Sequence, residues 1–270
     1  MVATLYDAIP LKNPEWASGQ LRQLKNRIMK KSAHWVDHVI TISEFVVEDV
    51  VEYWGVPEEK VSVVYCGVGD YWFQKQSVNA IENVKRKYSI NTQYVLFVGT
   101  FQPRKNVNGI IDAFMSLPKS FRREYKLILL GKSGWRSEGL IEKINMLVDK
   151  GECIRIEDAT DDDLRCLYQG AKVFMCPSFY EGFGLPVLEA FASGVPVITS
   201  RGTALEEIAG NAAVLVDPHS PDEIGHRLKE LLDADQVSVD VIKKQGTCRA
   251  QQFSWDNAAA SVYEIYKKLV

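Results

Sequence analysis

Short runs of Val, Ile, Leu and Phe recur along the chain at 2–5, 38–42, 61–65, 94–98, 126–130, 153–156, 173–176, 196–199 and 213–216. Most are followed by a longer segment whose apolar residues repeat with helical period, at 20–31, 44–52, 107–116, 140–149, 161–169, 186–192, 204–208, 221–232 and 257–269. Continuous apolar runs mark strands covered on both faces, and helices between successive runs make those strands parallel. The chain is therefore read as α/β. Two helix starts are written into it. Thr160 precedes Asp161, Asp162 and Asp163, and Ser220 precedes Pro221, Asp222 and Glu223. Each is a capping side chain followed by acids at the positive end of a helix dipole.

Residues 66–91 hold no strand-like run, only Gly67 and Gly69, the aromatics Tyr71, Trp72 and Phe73, and a polar helical stretch. That segment reads as a connection. The runs after it suffice for a complete doubly wound parallel sheet, whereas those before it are too few to cover a sheet on both faces. The expected division is an incomplete N-terminal unit over 1–72, a linker over 73–92, a ligand-binding domain over 93–254 and a terminal helix over 255–270. Either the chain is expected to be a fragment whose missing N-terminal part carried the remaining strands, or a partner covers those edges.

Composition removes several function classes. With 46% hydrophobic and 25% charged residues among 270, the chain is globular rather than disordered. A net charge of -3 leaves no basic excess to attract nucleic acid. No apolar run approaches the ~18 residues of a membrane span, and residues 1–18 lack the pattern of a secretory signal. Cys66, Cys153, Cys166, Cys176 and Cys248 are odd in number and never spaced C-x-x-C, and His34, His38, His219 and His226 show no zinc-ligand spacing. No disulfide framework and no metal are expected, and the compartment expected is the cytoplasm. The segment 20–31 sets Arg22, Lys25, Arg27, Lys30 and Lys31 against Leu21, Leu24 and Ile28. It reads either as an ordinary surface helix or as a peripheral contact with anionic lipid at the inner face of the cell membrane.

The richest chemistry lies in CPSFYEGFGLPVLEA, which starts at Cys176. A buried strand ends there and a helix begins near Pro186, so Gly182 and Gly184 fall in a turn at the carboxyl edge of the sheet, where open α/β sheets bind ligands. The N–H groups of Phe183, Gly184 and Leu185 form a donor-rich cup at a helix start, suited to hydroxyls or an anion. Glu181 and Glu189 would grip two parts of one ligand, and carboxylates that accept from vicinal hydroxyls suggest a sugar and a ribose. As a first-turn acid, Glu189 reads equally as a dipole partner. The second segment, YVLFVGTFQPRKN, ends a strand at Gly99 and brings Arg104 and Lys105 to a helix start, where cations oppose the dipole. A pyrophosphate bridging them would resolve that conflict. Gly131 in LLGKSGW repeats the strand-then-glycine arrangement. None of these loops matches G-x-G-x-x-G or a P-loop, Asp161 to Asp163 reads as capping rather than as a metal pair, and no G-x-S-x-G elbow is present.

Taken in order, GTFQPRKN, LLGKSGW, PSFYEGFGLPVLEAFASGVPVITS and AGNAAVLVDP make the chain resemble the retaining glycosyltransferases of family 4, with GT-B fold, and among them the bacterial mannosyltransferases of O-antigen assembly. The resemblance is strong over 94–218 and weaker through TLYDAIPLKNPEW, ITISEF and the FSW-initiated terminal helix. It implies a Rossmann-like donor domain beside an incomplete acceptor domain, and transfer of a hexose, mannose from GDP-mannose, to a glycan or lipid-linked acceptor with retention. Arg104 and Lys105 would neutralise the diphosphate, Glu181 and the amides after it would hold the hexose, Glu189 the ribose, and Gly99, Thr100 and Gly131 would line the donor site. No cofactor or metal is implied, and a homo-oligomer stays open. Three positions depart from the family pattern: Thr100 where many members have Arg, Tyr6-Asp7 where many have His-Asp, and Cys66-Gly67 where many have Asn-Gly. The other readings are a non-catalytic nucleotide-sugar module that needs a partner chain and an epimerase of the same fold, against which the E-x7-E pair speaks.

Overall fold

The computed structural model of the chain describes residues 1–16, 20–33, 35–135 and 137–269, with the side chains of 20–25 and 27 outside that description. Strands β1 (Val2–Thr4), β2 (His38–Thr41) and β3 (Val61–Val63) pair in parallel in that order, with Val39 opposite both Ala3 and Val61. Helices α1 (Ile9–Lys12), α2 (Gln20–Ala33) and α3 (Glu44–Asp49) connect them, and a π-helical turn, Val50–Trp54, prolongs the last beyond the expected end at 52. Leu5, Val36, Val39, Val46 and Trp54 form a small core of their own.

The larger sheet holds β4 (Gln93–Val98), β5 (Tyr125–Leu130), β6 (Cys153–Ile156), β7 (Val173–Cys176), β8 (Val197–Ser200) and β9 (Val214–Val216). All are parallel, in the order β6-β5-β4-β7-β8-β9. This is the doubly wound order, and it reverses between β4 and β7. Crossovers leave those two strands in opposite directions, which opens a crevice at their carboxyl ends.

The covering helices are α4 (Val78–Lys87), α5 (Val107–Ser116), α6 (Lys119–Glu124), α7 (Glu138–Asp149), α8 (Asp161–Gln169), α9 (Leu185–Ala192), α10 (Ala204–Ala209), α11 (Pro221–Asp233), α12 (Gln236–Ala250) and α13 (Trp255–Leu269). Along β4, Tyr94 and Leu96 enter one core with residues of α4, α8, α9, α10 and α12, while Val95 and Phe97 enter the other with α5, α7 and α11. Both faces of the sheet are apolar because both are covered.

Differences from the sequence reading have local causes. The stretch read as a linker carries α4, capped by Ser77, whose Oγ accepts from Ala80 N at 3.1 Å. Lys87 Nζ and the Tyr88 hydroxyl reach Asp163 of α8 at 2.5 and 2.9 Å, and Trp72 and Val84 are buried in the core of the larger sheet, so this segment forms part of that unit's wall. Helix α12 was not expected, since its buried positions are Val239, Gly246 and Ala250, a small-residue seam rather than a wide apolar stripe. Helix α6 is likewise additional. Thr160 caps α8 by accepting from Asp163 N at 3.2 Å, as the acids following it imply. Of the cations in the basic segment, Arg22, Lys25 and Arg27 have side chains outside the description, and His34 also lies outside it. Among the described residues no helix is long and apolar enough to cross a membrane. Helix α13 buries none of its described residues.

Candidate functional site

The loops leaving β4 and β7 are tied to each other before either meets a ligand. Past Gly99 the chain crosses the end of β5, where a Cβ on Gly131 would lie 2.0 Å from the Gly99 carbonyl. Only glycine permits that approach. The turn Pro103–Lys105 follows, and Asn106, in left-handed conformation at φ +54°, caps α5 by accepting from Gly109 N at 3.2 Å. The Asn106 amide also donates to Pro177 O at 3.0 Å and Pro218 O at 2.7 Å, and Phe179 N donates to Arg104 O at 2.8 Å. Beneath the second loop, Thr199 Oγ1 donates to Cys176 O at 3.0 Å and Ser200 Oγ to Ser178 O at 2.5 Å. These buried bonds satisfy the loop carbonyls and fix its path.

Glu181 is where the two loops meet. Arg104 Nη1 lies 2.6 Å from its Oε2, and Lys105 Nζ lies 2.5 Å from its Oε1. Arg104 Nη1 also donates to Tyr180 O at 3.2 Å. Glu181 is 8% exposed and Lys105 9%. Burial pushes the Glu181 carboxyl up, but the charges of Lys105 and Arg104 beside it outweigh burial and hold it below its ordinary value. Both carboxylate oxygens of Glu181 are thus engaged by a cation, and each keeps lone-pair capacity for a further donor. Two cations thus stand against the one carboxylate of Glu181.

This arrangement changes one expectation. The conflict between the cations and the α5 dipole does not require an external anion, because Glu181 answers it from within the chain. The N–H groups of Phe183, Gly184 and Leu185 donate to no acceptor among the described residues. The Phe183 ring itself turns inward, against Tyr65 and Phe253 at 6.3 and 6.0 Å. Thr100 and Leu185 are exposed, and Gly131 is buried.

Glu189 occupies a different environment. It lies one turn inside α9 rather than in its first turn, so it is no dipole partner. The Tyr168 hydroxyl of α8 donates to its Oε2 at 3.1 Å. Burial raises its pKa to about 7, with Asp161 adding to the shift and the Tyr168 hydroxyl opposing it. Burial also pushes the Cys176 thiol up to about 11, which leaves it neutral and unreactive beside the clamp at ordinary pH. Among the described residues no three His, Cys, Asp or Glu side chains are grouped to hold a metal. Sequence reasoning singled out neither Asn106, Tyr168, Asp49 nor Tyr180. For Asn106 a signal existed, an Asn directly before a helical period.

The family described as glycosyl transferases group 1 matches residues 80–246, and that described as glycosyltransferase family 4 matches residues 1–70. The chain is 30% identical over 269 residues to the O-antigen chain mannosyltransferase B of Escherichia coli, a match that covers 99% of this chain and 70% of that protein. It is 31% identical over 277 residues to the serotype-specific mannosyltransferase WbdA of Escherichia coli, all of this chain but only 33% of that one. Its fold matches the crystal structure of Anabaena HepE in complex with UDP and glucose at a TM-score of 0.83 and 20% identity, covering 98% of this chain and 71% of that one. It also matches WaaG, a glycosyltransferase involved in lipopolysaccharide biosynthesis, at 0.74 and 19%, covering 93% and 70%. The chain belongs to the group 1 glycosyl transferases, and its fold is that of the GT-B glycosyltransferases.

Proposed function

We propose that the crevice between β4 and β7 binds a nucleoside diphosphate sugar, GDP-mannose, and that the chain passes the mannose to a glycan or lipid-linked acceptor with retention of configuration. The observation that carries this reading is the Glu181 clamp at the strand-order reversal, one buried carboxylate held between two cations. The names of the mannosyltransferase relatives favour mannose, and the complex of HepE with UDP and glucose favours a nucleotide sugar as the ligand class.

In this reading each group has one task. Glu181 accepts from hexose hydroxyls, and the N–H groups of 183–185 donate to the same sugar. Arg104 and Lys105 face the negative charge that builds on the leaving diphosphate, and because Glu181 already fixes them they need no reorganisation as it forms. Glu189, drawn into its ionised form by two ribose hydroxyls, holds the other end of the donor.

Calorimetric titration with GDP-mannose, GDP, UDP-glucose and UDP tests the ligand class. GDP-mannose is expected to bind between micromolar and millimolar, with EDTA leaving the affinity unchanged. Silence with all of these ligands would overturn the reading. Retention is read from the anomeric proton signals of any product formed on a mannoside acceptor: an α-linkage agrees with it, and a β-linkage contradicts it.

A further inference from the structure

The residues on both sides of Glu181 are held by the smaller unit. Tyr180 is 4% exposed, and its hydroxyl donates to Asp49, the last residue of α3, itself 3% exposed. Lys12 of α1 closes this pair from above, with Nζ 2.8 Å from Asp49 Oδ1 and 5.3 Å from the centre of the Tyr180 ring. Phe45 packs its ring 5.4 Å from that of Tyr180. On the other side, Ser43 Oγ donates to Gly182 O at 2.7 Å, and a Cβ on Gly182 would lie 2.6 Å from the Tyr6 carbonyl, so the backbones of the two units touch at this turn. The larger unit reciprocates through Glu207, which accepts from the first N–H groups of α3, Glu44 N at 2.8 Å and Phe45 N at 2.9 Å.

A carboxylate that must meet a sugar hydroxyl within a few tenths of an ångström depends on the residues that fix its backbone. Arg104 and Lys105 set the direction of the Glu181 side chain, and Arg104 also holds the Tyr180 carbonyl, but both come from the larger unit; the Tyr180 hydroxyl and the Gly182 carbonyl remain to be held from the opposite face. That task falls to Asp49 and Ser43. We propose that Asp49, acting through Tyr180, and Ser43, acting through Gly182, are positioning residues for Glu181, so that the smaller unit sets how strongly the donor site prefers a sugar-bearing nucleotide to the bare nucleotide. This rests on the nucleotide-sugar reading above and deepens it. The diphosphate contacts stay with Arg104 and Lys105, so the two kinds of ligand respond differently to the same substitution.

The experiment is calorimetric titration of the full chain with GDP and with GDP-mannose, for wild type, Tyr180→Phe, Ser43→Ala and Asp49→Asn, with folding of each variant followed by circular dichroism. Tyr180→Phe keeps the ring and deletes the hydroxyl. It is expected to weaken GDP-mannose about tenfold while GDP stays within about twofold of wild type. Ser43→Ala moves the ratio in the same direction by about threefold. Asp49→Asn keeps an acceptor for the Tyr180 hydroxyl and is expected to hold the ratio close to wild type. Folded Tyr180→Phe and Ser43→Ala variants that keep the wild-type ratio, or that lose both ligands equally, overturn the positioning role. A wild-type chain that binds neither ligand overturns the nucleotide-sugar reading itself, and the positioning role with it. Melting temperature alone does not separate these outcomes, because a purely structural contact lowers it without changing the ratio.

Discussion

Glu181 and Glu189 stand at the two ends of one turn and the start of one helix, with seven residues between them, yet their surroundings pull them in opposite directions. Burial by itself raises a carboxyl pKa, and it acts on both groups. At Glu181 two cations overcome that effect, and the group stays ionised. At Glu189 the neighbours are a tyrosine hydroxyl and the like charge of Asp161, and the group sits near half-protonation at neutral pH. The lesson is that an E-x7-E spacing brings two acids to one crevice but does not decide their charge. Surroundings decide it: the cations of the β4 loop in one case, and in the other burial, with Asp161 adding to it and the Tyr168 hydroxyl opposing it.

The contrast can be broken from the Glu181 side first. Lys105→Met removes a buried partner and leaves Glu181 with Arg104 alone, and a loss of about 4 kcal/mol in chemical denaturation is expected. An unchanged midpoint would show that the pair has no structural weight. At Glu189 the sign reverses. Its folded pKa of about 7 lies above the ordinary value of 4.5, so its contribution to stability is full below about pH 4.5 and is lost as pH rises through 7. Glu189→Gln removes that loss. The variant is expected to match wild type near pH 4.5 and to exceed it at pH 8 by as much as about 3 kcal/mol, and a variant less stable at pH 8 would contradict the raised pKa. Glu181, held below its ordinary value, behaves oppositely: its contribution is present above the ordinary carboxylate range and fades as pH falls through its lowered pKa.

Smaller effects sharpen the comparison. Glu181→Gln keeps the shape of the clamp and removes its charge. About a tenfold loss in GDP-mannose affinity is expected, with GDP affinity retained or raised because the cations are released. Tyr168→Phe deletes the donor that favours the ionised form of Glu189, so a loss of about 1 kcal/mol at pH 8 and less at pH 5 is expected in the same denaturation series. Equal losses at both pH values would detach Tyr168 from the titration of Glu189.

How much of this was legible beforehand follows from the range of each interaction. The α/β alternation and the parallel sheet are written in local periodicity, and so are the caps at Thr160 and Ser220. Helix α12 escaped because its packing surface is made of Gly246 and Ala250, and small residues leave no apolar period to read. The cations at Arg104 and Lys105 were visibly at odds with the α5 dipole. Their partner, Glu181, comes from another loop far along the chain, and no local pattern announces a pairing at that distance. The same holds for Tyr168 under Glu189 and for Asp49 under Tyr180. Candidate chemistry was legible as residue types at the carboxyl edge of a sheet, while the charge state of each acid depended on contacts that only the folded chain brings together.

A crystal grown with GDP-mannose tests the arrangement most directly. The diphosphate is expected against Arg104 and Lys105, the hexose against Glu181 and the N–H groups of 183–185, and the ribose against Glu189. A diphosphate bound on another surface, with the Arg104–Glu181–Lys105 clamp closed and untouched, would contradict it.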